Sequence, residues 1–357
     1  MIEMLDILKA AVENRASDIH IVIGKPPILR VKGELIPIKG SAELSAEDSK
    51  RLIYSILYDD QKQVFEEKLE LDCSFSVPNL ARFRVNVLLE KDGVEAVLRV
   101  ISSSIPTPEE LRFPPAIVQL ADLPRGLVLV TGPTGCGKST TLACLLNIVN
   151  QKRQEHILTI EDPIEFVYEP KNCIVRQREV GSQTHSFAEA LKHALRQDPD
   201  VILVGEMRDL ETIALAITAA ETGHLCFATL HTTDAAQTVD RIIDVFPPSQ
   251  QQQLRIQLSN CLKAVICQVL LPRIDGKGRV AAREIMIVTP AIANLIREGK
   301  THMIYNAIET GAKFGMISLD KALSCLVKEG IVRLEDAIAK AHNPEVVRLG
   351  KIAYTTV

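Results

Sequence analysis

The sequence lacks an excess of basic charge, an apolar run of membrane length and closely paired cysteines. Its 41 Lys and Arg residues face 45 Asp and Glu residues, and the formal net charge of -4 excludes a global positive field that would recruit nucleic acid. The longest apolar stretches, such as residues 264–271 interrupted by Gln268, fall well short of the roughly twenty residues that cross a bilayer. The acidic N-terminus carries no signal-peptide pattern, so we expect the protein to stay in the cytosol.

The eight cysteines form no C-x-x-C pair and lie in apolar surroundings. In a long cytosolic chain this pattern predicts reduced thiols in the core and argues against a zinc ribbon or a disulfide framework. A hydrophobic fraction of 46% with 24% charged residues is typical of globular proteins, and 357 residues suffice for two domains with ample cores.

The strongest local signal is a glycine-rich loop between an apolar strand, residues 127–131, and an apolar helix, residues 141–146. In this context the pattern G-x-x-x-x-G-K-[ST] predicts a phosphate-binding loop, because backbone N–H groups and the helix N-terminus converge on phosphate oxygens. The loop consists of Gly132, Pro133, Thr134, Gly135, Cys136, Gly137, Lys138, Ser139 and Thr140.

Three side chains of this loop carry separate expectations. Lys138 should reach the β- and γ-phosphates of a nucleotide, and Ser139 should offer its hydroxyl to Mg²⁺. Cys136 occupies a position that the pattern leaves free, so we favour a filler role over that of a redox-sensitive thiolate at the helix N-terminus.

Polar groups gather where the later apolar strands end. Strands at 156–160, 201–204 and 225–230 alternate with helical segments, which predicts a largely parallel α/β sheet with its ligand beyond the carboxyl ends of the strands. We favour Glu165 as the base that activates the attacking water, with Glu206 as the alternative. Glu206 is also placed to hold the metal, and His231 to sense the γ-phosphate. The alternative for these acidic residues is a structural role, in which they cap the next turn or pair with Arg208, and for Glu161 and Asp162 it is equally open.

The remaining patterns divide the chain into two domains joined by a linker. Residues 1–103, with hairpins and a polar helix around 46–68, predict a small α+β domain with one basic sheet face. Residues 104–125 form a Pro-rich linker that would act as a hinge. Residues 126–357 hold the phosphate-loop domain, which should become mostly helical past Asp234 and end in a helical bundle.

Four motifs in order then carry a specific resemblance. They are Gly132–Thr141, Thr159–Glu165, Arg196–Asp209 and Thr222–Ala235. Together they resemble the Walker A, Asp box, Walker B and His box of the secretion-type hexameric ATPases, the GspE/PulE-like family. Ser17–His20, and the lack of a further N-terminal domain or a tetracysteine insert, are similar to the type IV pilus retraction branch, the PilT-like ATPases.

The resemblance implies a P-loop (RecA-like) domain with C-terminal helices, preceded by a smaller PAS-like α+β domain. It implies a homohexamer at the inner face of the cytoplasmic membrane that hydrolyses ATP with Mg²⁺. This motor would drive pilus retraction and twitching motility through an inner-membrane platform protein, without binding nucleic acid directly. It also implies nucleotide contacts from His224 and, from the N-terminal domain and linker of a neighbouring subunit, from Arg82, Arg84, Arg99 and Arg112.

Other functions share parts of this pattern. A pilus assembly or type II secretion ATPase, a nucleic-acid translocase and a nucleotide-binding regulator without turnover remain alternatives. The absence of a guanine-reading Asn/Thr-Lys-x-Asp motif favours ATP over GTP. Ala293 stands where the retraction branch carries Arg in its Ala-Ile-Arg-Asn-Leu-Ile-Arg-Glu helix, a departure that concerns the strength of retraction and not ATP hydrolysis.

Overall fold

A computed structural model describes residues 2–31, 33–78, 80–101 and 104–352. Lys32 lies outside this part, as do Ser102 and Ser103 at the end of the expected N-terminal domain and residues 353–357. The chain forms two compact units: residues up to Ser104 together with Glu165–Val167, and the rest from Ile105 onward.

The N-terminal unit is built on an antiparallel sheet. Its described helices are α1 (Met4–Glu13), α2 (Ala46–Tyr54) and α3 (Asp59–Lys68). Its described strands are β1 (Asp18–Ile21), β2 (Ile28–Val31), β3 (Glu34–Pro37), β4 (Glu70–Val77), β5 (Ala81–Glu90) and β6 (Gly93–Ile101), in the order β3-β2-β1-β6-β5-β4. Along β5, Phe83, Val85 and Val87 are buried while Arg84 and Asn86 are exposed, so one face of this strand lies in the core and the other carries polar side chains.

Two expectations for this unit need correction. The polar helix around 46–68 is two helices, α2 and α3, separated by residues 55–58. Asp59 and Asp60 open the second helix, where carboxylates favour the positive end of the helix dipole, and so mark a new start. Strand β4 was missed because it pairs with β5 at the sheet edge and shows only intermediate burial.

The second unit carries the predicted α/β sheet. Its strands are β7 (Gly126–Thr131), β8 (His156–Glu161), β9 (Ile174–Glu179), β10 (Val201–Val204), β11 (Leu225–Leu230), β12 (Leu262–Pro272) and β13 (Arg279–Ile287). Within residues 105–352 they pair in the order β13-β12-β7-β11-β10-β8-β9. All neighbours are parallel except β12 and β13, so the predicted fold class is confirmed.

Helices cover this sheet. They are α4 (Pro115–Val118), α5 (Lys138–Lys152), α6 (Phe187–Ala194), α7 (Leu210–Glu221), α8 (Ala235–Asp244), α9 (Pro248–Cys261), α10 (Pro290–Arg297), α11 (Ile304–Thr310), α12 (Leu319–Lys328), α13 (Leu334–Ile338) and α14 (Pro344–Ile352). Strands β7, β10 and β11 are buried along their whole length, which is typical of parallel strands covered on both faces.

Most elements past Asp234 are helices, as expected, but the expectation missed a hairpin formed there by β12 and β13. Residues 262–272 pair in parallel with β7 and so extend the central sheet. The apolar stretch at 264–271, which we weighed only as too short for a membrane, is therefore a core strand. The Asp275-Gly276 pair between two apolar runs is the sequence signal that indicates this hairpin.

Side-chain caps begin two of these helices. Thr289 accepts a hydrogen bond from the Ile292 N–H at the start of α10, and Ser186 accepts one from the Glu189 N–H at the start of α6. These side chains satisfy backbone donors that have no partner inside the helix. None of the described helices has the length and apolarity that crossing a bilayer requires.

The cysteines are free thiols, and six of the eight are buried. Burial raises the pKa of Cys144 and of Cys261 to about 12. Cys73 is half-buried and Cys325, on α12, is exposed.

Ser186→Ala removes the cap of α6 and should lower the free energy of unfolding by about 1 kcal/mol. Ser186→Asp retains an acceptor for the Glu189 N–H and should stay close to wild type. Chemical denaturation followed by circular dichroism measures both, and equal losses in the two variants would show that the cap is not the cause.

Candidate active site

The phosphate loop lies between the carboxyl end of β7 and the first turn of α5. Gly132, Gly135 and Gly137 adopt positive φ angles of 137°, 76° and 89°, which side chains with a Cβ rarely adopt. Lys138 opens α5, and its ammonium group donates to the carbonyl oxygens of Gly132 at 2.8 Å and Pro133 at 3.3 Å. The loop thus folds around its own lysine and presents the N-terminus of a fifteen-residue helix.

A buried glutamine from β12 holds the loop against the sheet. The Gln268 side-chain amide donates to the Cys136 carbonyl oxygen at 2.7 Å and accepts from the Thr141 hydroxyl at 2.8 Å. Its backbone oxygen lies so close to Gly132 that a Cβ there would be 2.3 Å from it. Gln268 therefore positions both the loop and the helix that follows it. The sequence analysis did not predict this role for Gln268. The available signal was a polar residue within the apolar run at 264–271.

A cavity of about 370 Å³ opens beside the loop. The loop and helix residues Gly137, Thr140 and Thr141 form one wall, and the hairpin residues Leu270 and Val280 form an apolar part of another. The charged part of the lining is mostly basic, with one acidic side chain, Glu110, beside Arg112, Arg273, Arg279 and Arg283. The cavity thus combines apolar surface with positive charge directly beside an anion-binding loop.

Glu206 and His231 meet at the carboxyl edge of the sheet. Glu206 follows β10, and its carboxylate accepts from His231 Nε2 at 2.9 Å and from the Arg208 guanidinium at 2.6 Å. His231 directly follows β11, the strand next to β7. Partial burial opposes ionisation of Glu206, but the hydrogen bonds from Arg208 and His231 outweigh it and hold its pKa below the ordinary value.

The strand order determines the distance between the phosphate loop and the strand ends from which the acidic residues follow. Neighbouring strands lie about 4.8 Å apart, so β10 starts about 10 Å and β8 about 14 Å from β7 along the sheet. Glu161, the last residue of β8, is buried and accepts from the Thr159 hydroxyl at 2.6 Å, which fits a structural role. Asp162 and Glu165 are exposed on the segment that follows β8.

Of the residues expected to contact nucleotide, His224 lies away from the phosphate loop of its own chain, and the arginines expected at a neighbouring subunit's nucleotide stay a prediction. His224 precedes β11 at the amino edge of the sheet, where its Nδ1 is 2.9 Å from the Ala219 carbonyl oxygen, so this chain does not bring it to its own phosphate loop. In the N-terminal unit, Arg99 pairs with Asp18 at 3.0 Å, Arg82 donates to the Ser74 hydroxyl at 2.7 Å, and Arg84 is exposed. Arg112 lies at the cavity wall of the second unit, paired with Glu329.

Cys136 is buried within the loop, and burial raises the pKa of its thiol despite the nearby Lys138. A raised pKa leaves little thiolate at neutral pH, so the structure favours the filler role over an activated thiol.

Comparison with known proteins identifies the family. The model of the type II/IV secretion system protein family matches residues 2–297. The chain belongs to this family. This secretion ATPase is 53% identical over 343 residues to the type IV pilus retraction ATPase PilT of Pseudomonas aeruginosa, covering 96% of this chain and 99% of that one. It is 52% identical to a twitching motility protein of Neisseria gonorrhoeae, covering 89% of this chain and 85% of that protein.

Solved structures show the same relationship. A crystal structure of the pilus retraction motor PilT with bound ADP matches with a TM-score of 0.90 and 46% identity, covering 97% of this chain and 98% of that one. The ATPase DotB of Legionella pneumophila matches with a TM-score of 0.77 and 30% identity, and 95% of each chain is covered. The expected PilT-like ATPase fold and family are confirmed.

Gln268→Leu should weaken nucleotide binding about five- to hundredfold, since it leaves the Cys136 carbonyl and the Thr141 hydroxyl buried without their partner. Titration with a fluorescent ADP analogue measures the affinity. Gln257→Leu serves as the control, because its amide bonds Glu221 on an exposed helical surface. Equal affinity in the two variants would refute the role assigned to Gln268.

Glu206 should contribute to stability in a pH-dependent way. Its pKa in the folded protein lies below the ordinary value of a glutamate, so the ionised carboxylate stabilises the fold at neutral pH, and this contribution is lost as the pH falls through the lowered pKa. We expect the difference in free energy of unfolding between wild type and Glu206→Gln to shrink between pH 7 and about pH 3. Denaturant titrations at several pH values measure it, and a difference that does not change with pH would contradict the assignment.

Proposed function

We propose that this secretion ATPase is a Mg²⁺-dependent, ATP-driven motor of type IV pilus retraction. The observation that carries the proposal is the phosphate loop at the end of β7, with Glu206 and His231 meeting at the same sheet edge. The high identity to PilT over nearly the whole chain supports retraction as the work performed. The cavity beside the loop would receive the nucleoside, with Leu270 and Val280 against the base.

Each proposed catalytic residue has a distinct task. Lys138 would exchange its contacts with Gly132 and Pro133 for the β- and γ-phosphate oxygens, and the loop N–H groups would hold the same anion. Glu165 would take the proton of the attacking water, with Glu206 as the alternative base. His231, fixed by its bond to Glu206, would contact the terminal phosphate. When that phosphate leaves, the change in this contact would reach the sheet edge through His231.

The residues present fit a magnesium ion. Ser139 lies half-exposed in the first turn of α5, and the lowered pKa keeps Glu206 ionised, so both offer the hard oxygen atoms that Mg²⁺ prefers. Mg²⁺ usually binds few protein oxygens together with substrate phosphates, so a pair of ligands suffices. When bound, the ion neutralises charge on the β- and γ-phosphate oxygens.

Force production would require more than one chain. We propose a cytoplasmic homohexamer at the inner face of the membrane, acting on an inner-membrane platform protein. Within it, residues 1–103 and 126–357 would move about the linker at 104–125 as nucleotide binds and leaves. Arg82, Arg84, Arg99 and Arg112 would approach the nucleotide of a neighbouring subunit.

Steady-state ATP hydrolysis by the purified full chain tests the chemistry. Lys138→Ala should abolish nucleotide binding, whereas Glu165→Gln should lower kcat by about 10²–10⁴-fold while ADP still binds, as loss of a general base does. Glu169→Gln changes an exposed carboxylate four residues further on and should match wild type. If Glu206→Gln alone shows the large loss in kcat, the base is Glu206 and not Glu165.

The phenotype of cells that lack the protein tests whether the motor retracts pili or assembles them. Excess surface pili with lost twitching supports retraction, whereas cells without pili would point to assembly. Absence of Mg²⁺-dependent hydrolysis in a verified hexamer would contradict the motor and favour a regulator.

A further inference from the structure

Two acidic side chains lie buried as direct neighbours in the sheet, although neither belongs to the phosphate loop. Glu161 of β8 pairs in register with Glu179 of β9, and they are 7% and 5% exposed. Like charges opposite each other across strands are destabilising, and burying a carboxylate costs more unless donors surround it. The pair therefore needs an explanation beyond packing.

One donor to this pair comes from the segment that carries Glu165. Glu179 accepts from the Ile164 N–H at 2.9 Å, one residue before Glu165. Gln177, two residues earlier on the same strand, accepts from the Tyr168 N–H at 2.9 Å, three residues after Glu165. Residues two apart on a strand share a face, so Gln177 and Glu179 hold this segment by hydrogen bonds on both sides of Glu165. We call this pair of contacts the grip of β9.

The gripping side chains are themselves fixed. Gln177 donates its amide N–H to Glu161 at 3.2 Å, and the Thr159 hydroxyl donates to the same oxygen at 2.6 Å. Glu179 also accepts from the Ser182 hydroxyl at 3.3 Å, and its N–H donates to the Gln183 side chain at 2.8 Å. The grip is thus a connected network whose members have few alternative positions.

We propose that Gln177 and Glu179 are positioning residues that hold the backbone on either side of Glu165 and so fix where its carboxylate points. The inference rests on the proposed role of Glu165 as the base. A catalytic base must lie within hydrogen-bond reach of the proton it takes, and a displacement of about 1 Å can cost about 10²-fold in rate. A segment without helix or strand hydrogen bonds of its own gains this precision from side chains on a strand.

A set of β9 variants tests the proposal in the full-length ATPase. Glu179→Ala removes the acceptor for the Ile164 N–H and should lower kcat about ten- to hundredfold with the affinity for ADP unchanged. Glu179→Gln keeps an acceptor oxygen at the same place and should restore kcat to within about threefold of wild type. Ile174→Ala, at an exposed position of the same strand, is the control and should leave kcat unchanged.

A double-mutant cycle separates positioning from a general loss of structure. In a Glu165→Gln background, Glu179→Ala should change kcat by less than about twofold, because a base that is already absent cannot be misplaced. The same fold loss in both backgrounds would overturn the proposal, since it would show that Glu179 acts independently of Glu165. So would a Glu179→Gln variant as slow as Glu179→Ala.

Hydrogen exchange gives a readout that does not depend on activity. The Ile164 and Tyr168 amides should exchange faster in Glu179→Ala and Gln177→Ala, respectively, and as slowly as wild type in Glu179→Gln. Unchanged exchange would overturn the grip itself. Faster exchange together with full activity of Glu165→Gln would instead refute Glu165 as the base while leaving the grip intact, so the two failures are distinguishable.

Discussion

The fit of the phosphate loop against β12 is the constraint on which the site depends. The loop approaches the β12 backbone so closely at Gly132 that no Cβ fits between them, and the Gln268 amide joins loop and helix α5 from the same strand. Strand β12 in turn pairs with β7, which leads into the loop. The loop is therefore enclosed by the strand before it, the helix after it and a strand more than a hundred residues later.

Local pattern was enough to predict the parts that are contiguous in the chain. The β7, loop and α5 unit is fully encoded by an apolar run, three glycines and a second apolar run, and it folds as expected. The apolar strands β8, β10 and β11 were predicted for the same reason, and their parallel pairing follows from the helices between them. Caps at Ser186 and Thr289 were likewise legible in the sequence, because each requires only four consecutive residues.

Strand order and long-range partners could not be predicted in this way. The sequence places β8 directly after α5, yet the sheet inserts β11 and β10 between β7 and β8, so nearness in the chain does not tell which acidic segment starts nearest the loop. Gln268 contacts residues about 130 positions away, and no local rule links a glutamine in an apolar run to a loop that distant. The pairing of Glu206 with His231 likewise depends on β10 and β11 being neighbours.

The distribution of thiols has a practical consequence for observing this protein at work. Six cysteines are buried, which disfavours the reactive thiolate, and Cys73 is half-buried. Cys325 alone among the eight stands exposed, on α12 in the unit that contains the phosphate loop. A maleimide dye would thus attach chiefly at one natural position, which supplies a fluorescent reporter of subunit movement without any engineered substitution.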